Sequence, residues 1–214
     1  SITLNPFVFG AAERLARAIA ARRALADAFE RPAGPLAELP PTVDAATLHD
    51  HVVLVGYGRV GAPVAAELAH HGIPHVIVEQ SRERAEALRA EGLPVLYGDA
   101  TRPEVLGDAH LERARLVVVA TSDAYQARAI LALARRLNPD VAVIARTHGD
   151  AERAFLEAHG AALALVAERE VAVSLTRATL QRYGGDHDMR AVAARTLGKR
   201  AVAGAAEGAV PPGA

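Results

Sequence analysis

Gly56-Tyr57-Gly58-Arg59-Val60-Gly61 follows the apolar run HVVLV (51–55), and this spacing could hold a dinucleotide. Gly56 would allow a tight turn. Gly58 would let backbone approach a pyrophosphate. Gly61 would let helix and strand pack closely. The anion would rest on free N–H groups at the positive end of the helix that follows. Glu79 stands 18 residues past Gly61, at the end of the next apolar run. A carboxylate there can accept both ribose hydroxyls of an adenosine and would repel a 2′-phosphate, which favours NAD or an adenine mononucleotide over NADP. Arg59 sits inside the turn, where its guanidinium could reach a phosphate or simply be solvated. Asp99 could accept from an adenine amino group or cap a helix. For Thr101 and Ser122, capping is the role the spacing favours.

Other chemistries find less support. The chain has no cysteine, which removes disulfides and thiolate catalysis. Its nine histidines show neither HExxH nor a paired i,i+4 ligand spacing, so no metal site is expected. No acid–base pair is recognisable beyond the turn, so no catalytic residue is assigned. A formal net charge of −1 gives no field pointing to nucleic acid.

These residues need a scaffold of strands feeding helices. The 214 residues are 51% hydrophobic but only 4% aromatic, so the core must be built from Ala, Val, Leu and Ile. That suits helices packed on a parallel sheet. Strands are expected at 51–55, 75–79, 94–98, 115–120, 141–145 and, more weakly, 162–166, with helices between them. The expected fold is α/β, a Rossmann-like, doubly wound parallel sheet of about six strands. Gly72 should cap the first helix of this unit, Thr101-Arg102-Pro103-Glu104 should form a capping box for the third, and Asn138-Pro139 should stop the fourth.

The flanks differ in composition. Residues 1–31 begin SITLNPFVF and continue as an amphipathic Ala/Arg helix, and 32–50, with Pro32, Pro35, Pro40 and Pro41, read as a linker. The nucleotide-binding lobe is expected over 51–167 and a C-terminal helix over 168–185, closed by Gly184-Gly185. The biased tail 186–214 reads as disordered. No run of 18 apolar residues occurs. The start at Ser1, without a signal peptide, is expected of a piece cut from something larger.

GYGRVG, the strand ending in Glu79, YGDAT with RPEVL, VVVATSD and VIART together resemble the N-terminal lobe of RCK domains, the regulators of K⁺ conductance also found in Trk and Ktr uptake systems. The layout resembles the cytosolic end of a Kef-type monovalent cation/proton antiporter, with Ser1 to Pro6 similar to the exit from the membrane domain. The core resemblance covers roughly 49–183. It implies a nucleotide-sensing regulator of a potassium (or sodium)/proton antiporter rather than an enzyme. Such lobes bind NAD(H), AMP, ADP or ATP, form dimers, and act on the attached membrane domain at the cytoplasmic face of a prokaryotic inner membrane. Carried over by position, Gly56, Tyr57, Gly58, Arg59, Val60 and Gly61 would hold phosphate, and Glu79 with Gln80 the ribose side. Asp99, Ala100 and Thr101 would lie on the adenine side. Thr121, Ser122 and Asp123 would border the ligand, and Arg146 would lie near the dimer-facing end of the fifth strand. Thr147-His148 stand where glutathione-gated members have a second Arg, which puts glutathione gating in doubt. Two alternatives stay open: a small NAD-dependent oxidoreductase, and a free-standing RCK subunit of a channel or transporter. The SITLNP start weighs against the second.

Overall fold

Six short strands, each followed by a helix or helical turn, form one all-parallel sheet in the order β3-β2-β1-β4-β5-β6. The computed structural model describes residues 34, 36–41, 43 and 48–183. The expected membrane-exit segment and helix over 1–31, Gly184-Gly185 and the tail lie outside the described residues. The strands are β1 (Val52–Val55), β2 (His75–Glu79), β3 (Val95–Tyr97), β4 (Leu116–Val119), β5 (Ala142–Thr147) and β6 (Leu163–Val166). The helices are α1 (Gly61–His70), α2 (Arg82–Ala90), α3 (Pro103–Asp108), α4 (Ala124–Leu137), α5 (Asp150–Ala158) and α6 (Ala167–Arg182). This is the Rossmann-like doubly wound fold. β5 runs two residues past its expected end, so Arg146 belongs to the strand.

Alternation along the strands divides the core in two. Val53, Val55, Val76, Val78, Val117 and Val143 face one side, where they meet Leu106 of α3, Ile130 and Leu131 of α4 and Leu156 of α5. Leu54, Ile77 and Val95 face the other, against Ala65 of α1 and Ala85 and Leu88 of α2. Both faces are covered, so the central strands read as continuous apolar runs. Each fully buried Leu or Ile contributes about 1.5–3 kcal/mol relative to exposure.

The C-terminal ends of α1 and α4 follow the expected local chemistry. Gly72 takes φ +64 after α1. Its N–H donates to the Ala69 carbonyl and that of Ile73 to Leu68, the bond pair that closes a helix with a left-handed residue. α4 ends at Leu137 with Asn138 as its cap; the Asn138 side-chain amide donates to the Leu111 and Ala114 carbonyls, both at 3.0 Å. The start of α3 does not. Its N-cap is Arg102, with no side-chain cap bond, so the expected Thr101–Glu104 capping box does not form. Pro103 opens the helix and has no N–H to satisfy. The Thr101 hydroxyl instead donates to Asp99 Oδ1 at 2.8 Å. Ser122 likewise does not cap α4: Asp123 does, its Oδ1 accepting from Gln126 N at 3.0 Å.

The described part of the proline-rich stretch lies on the lobe. Leu39 and Val43 pack against the larger core and Leu48 is buried in it.

Candidate functional site

Strand order reverses between β1 and β4, and a cavity of about 570 Å³ opens there at the carboxyl ends of the strands. Open α/β sheets hold ligands at such a switch point. The wall takes Gly56 to Val60 from the turn after β1, Glu79 from the end of β2 with Gln80 just past it, and Gly98 to Ala100 after β3. Thr121 and Ser122 come from the end of β4, and Arg146 from β5.

Within the glycine turn, each residue has a separate physical task. Gly56 has φ +91, a conformation strained for any residue with a Cβ. A Cβ on Gly61 would overlap the Gly56 carbonyl oxygen, so helix and turn can approach this closely only without a side chain. Gly58 is different: a Cβ there would meet nothing within 4 Å. Its backbone faces open cavity. α1 starts beside it without a side-chain cap and with no acidic residue in its first turn, leaving N–H groups at a positive helix end.

Glu79 is 4% exposed, yet its carboxylate is well held. Oε2 accepts from Tyr57 N at 2.9 Å, and Oε1 from Ser81 N at 2.8 Å and Arg84 Nη1 at 3.1 Å. The buried charge is thereby compensated, as burial demands. Three of the roughly four acceptor directions of a carboxylate are in use, leaving about one for an incoming hydroxyl. Asp99 is similarly fixed, its Oδ1 accepting from Thr101 N at 2.9 Å as well as from the Thr101 hydroxyl. Across the mouth, the Thr121 hydroxyl donates to Gln126 Oε1 at 3.1 Å and Gln126 Nε2 donates to Gln80 Oε1 at 3.2 Å. This chain ties the end of β2 to the end of β4. Arg59, Arg84 and Arg146 face Glu79 and Asp99 in the lining, an excess of positive charge. Among the described residues, Arg146 Nε is buried without a hydrogen-bond partner.

Twelve of the fifteen residues singled out in the sequence thus line one cavity. Gly61, Thr101 and Asp123 stand behind its wall, supporting the turn, Asp99 and α4 respectively. Sequence reasoning missed Arg84, Gln126, Ala167 and Val171. The first two lie in the opening turns of α2 and α4, whose N-caps Ser81 and Asp123 were the available signal. Nothing in the pattern of α6 marks Ala167 and Val171.

Comparison with known proteins gives this geometry a family. The chain is 37% identical over 174 residues to YbaL of Escherichia coli (strain K12), named for cation/proton antiport; the match covers 80% of this chain and 30% of that protein. The crystal structure of the TrkA-N domain of YbaL superposes with a TM-score of 0.59 at 38% identity, covering 61% of this chain and 97% of that one. KefB of Alkalimonas amylolytica, named as a K⁺ efflux antiporter, is 35% identical, covering 60% of this chain and 20% of that protein. The Kef CTD of Shewanella denitrificans, solved in an AMP-bound form, has a TM-score of 0.58 at 25% identity, covering 73% of this chain and 94% of that one. The chain therefore spans less than a third of the length of these curated antiporter relatives. The family model for the TrkA-N domain matches residues 52–167, β1 through the start of α6, and the chain belongs to that family.

Proposed function

We propose that this lobe is the nucleotide-sensing regulatory domain of a potassium (or sodium)/proton antiporter. It takes NAD(H) or AMP at the glycine turn, with ADP and ATP as further ligands of the same site, and gates transport through a homodimer. The single observation that carries the reading is the uncapped start of α1 beside Gly58, with open space in front of it and Glu79 pinned behind Tyr57. Phosphate would rest on the α1 N–H groups with Arg59 beside it, and the ribose would meet Glu79 and Gln80. Asp99, Ala100 and Thr101 would form the adenine side. Thr121, Ser122 and Asp123 would border the ligand, with Arg146 at the far wall.

Both cavity carboxylates are already engaged in hydrogen bonds, which supports a site that holds a ligand rather than one that moves protons. The relatives named as antiporters support a membrane transport domain as the covalent partner, at the cytoplasmic face of a prokaryotic inner membrane. Leu163 and Leu165 on the outer strand β6 and Val171 and Leu175 on α6 are exposed, and exposed apolar residues on these two adjoining elements support pairing with a second copy. In this reading 1–31 form the membrane-exit segment and connector helix, 32–50 the linker, 51–167 the sensing lobe, 168–185 the C-terminal helix and 186–214 the tail. A ligand biases transport only through its differential affinity for two arrangements of that dimer.

A thermal-shift panel of NAD, NADH, AMP, ADP and ATP tests the assignment, because a ligand of the native state raises the midpoint. At least one should do so. Glu79→Ala should weaken that ligand by about 1–3 kcal/mol, the scale for hydrogen bonds to a charged group. Equal affinity in this variant would take Glu79 out of the site. Steady NADH oxidation with a small carbonyl compound would refute the regulatory reading.

A further inference from the structure

β3 is an outer strand, and an outer strand presents unpaired backbone groups. Here the chain's own upstream segment meets one of them. Tyr97 N–H donates to the Leu36 carbonyl at 2.8 Å. Arg89, in the last turn of α2, reaches the same place. Its Nε donates to the Val95 carbonyl at 2.8 Å, and its Nη2 to the Leu36 carbonyl at 3.1 Å and to the Glu38 carbonyl. One planar guanidinium therefore bridges the strand and the segment, which a flexible ammonium could not do with the same geometry. Two turns shape the segment, Ala37 N to Gly34 O at 2.8 Å and Val43 N to Pro40 O at 2.9 Å. Pro40 is buried, and Leu39 and Val43 pack on the core.

We propose that the edge of β3 is a docking face whose occupant is this chain's own stretch around Leu36–Val43, and that Arg89 is the residue that fastens it. Pull from the upstream chain would then enter the lobe at β3 rather than at β1. The position matters because the residues just after Tyr97, Gly98 to Ala100, form part of the cavity wall. A ligand that orders this wall favours the docked segment, and by reciprocity the docked segment raises ligand affinity. This coupling rests on the nucleotide reading. The docking does not.

Hydrogen–deuterium exchange on the full 214-residue chain reads both. The Tyr97 amide is the reporter, since its acceptor is Leu36. Arg89→Ala should speed its exchange at least tenfold, while the Ile77 amide, bonded to the Pro94 carbonyl inside the sheet, stays protected. Arg89→Lys, which keeps the charge and loses the fork, should give a smaller change of the same sign and decides the matter if the Ala variant unfolds. Saturating AMP should slow Tyr97 exchange in the parent chain and not in Arg89→Ala. Unchanged Tyr97 exchange in both variants overturns the docking. Unchanged exchange with AMP, in a chain that binds AMP by calorimetry, overturns the coupling. If the chain binds NAD and not AMP, NAD takes the place of AMP in this test; a chain that binds neither removes the coupling together with the nucleotide reading, and the ligand-free exchange then still decides the docking.

Discussion

Gly58 and Gly61 stand three residues apart in one motif, and their surroundings predict opposite phenotypes. A methyl group on Gly61 would collide with the Gly56 carbonyl, which is backbone and cannot rotate away. Gly61→Ala should therefore cost about 3 kcal/mol, the upper part of the range for overpacking, and lower the midpoint in a denaturant melt. A Cβ on Gly58, which helps to line the cavity, would meet no atom within 4 Å. Gly58→Asp should leave that midpoint unchanged, and a matching loss of stability in the two variants would contradict the division of roles. The division was readable from the spacing, which gave Gly61 to close packing and Gly58 to the approach of a ligand; what the string did not give is that the group Gly61 meets is the Gly56 carbonyl of its own turn. Glu79 shows the same limit. Its place at the end of β2 followed from the apolar run, but its bonds to Tyr57, Ser81 and Arg84 depend on how turn and helix meet around it.

At the scale of elements, the strands were legible because β-branched residues buried on both faces leave continuous runs such as Val52–Val55 and His75–Glu79. Helix starts were less legible, since Ser, Thr and Asp cap only when their hydroxyl or carboxylate has no better partner. Thr101 has one in Asp99, and Pro103 removes the need for it. Asp123 does cap, so Asp123→Ala should destabilise the lobe by about 1 kcal/mol in chemical denaturation. No measurable loss would mean that α4 is held by its buried face alone. The docking of Leu36 on β3 had no signature at all, because it uses a backbone carbonyl.

Over the whole molecule, the two faces of the sheet join elements distant in sequence, and His51 is one such join. It is fully buried, with Nε2 at 2.9 Å from the carbonyl of Ala109, the C-cap residue of α3. Burial holds its imidazole below the ordinary value, partly opposed by that carbonyl. The folded state therefore prefers neutral His51, and the unfolded chain binds more protons just below about pH 6.5. The His51 contribution is fully present above that pH and is lost as pH falls toward the folded value. The melting midpoint should drop between pH 7 and pH 5.5, and drop less in His51→Gln. Equal pH dependence in the two proteins would exclude His51 as the cause.

The central claim is that the cavity at the switch point holds an adenine nucleotide through the glycine turn. Isothermal titration of AMP into the parent chain and into Gly58→Asp tests it most directly, with NAD titrated in parallel. The account predicts saturable binding of at least one of the two in the parent, abolished in a variant that melts normally. Binding to Gly58→Asp with unchanged affinity, or no binding of either ligand to the parent chain, would contradict it.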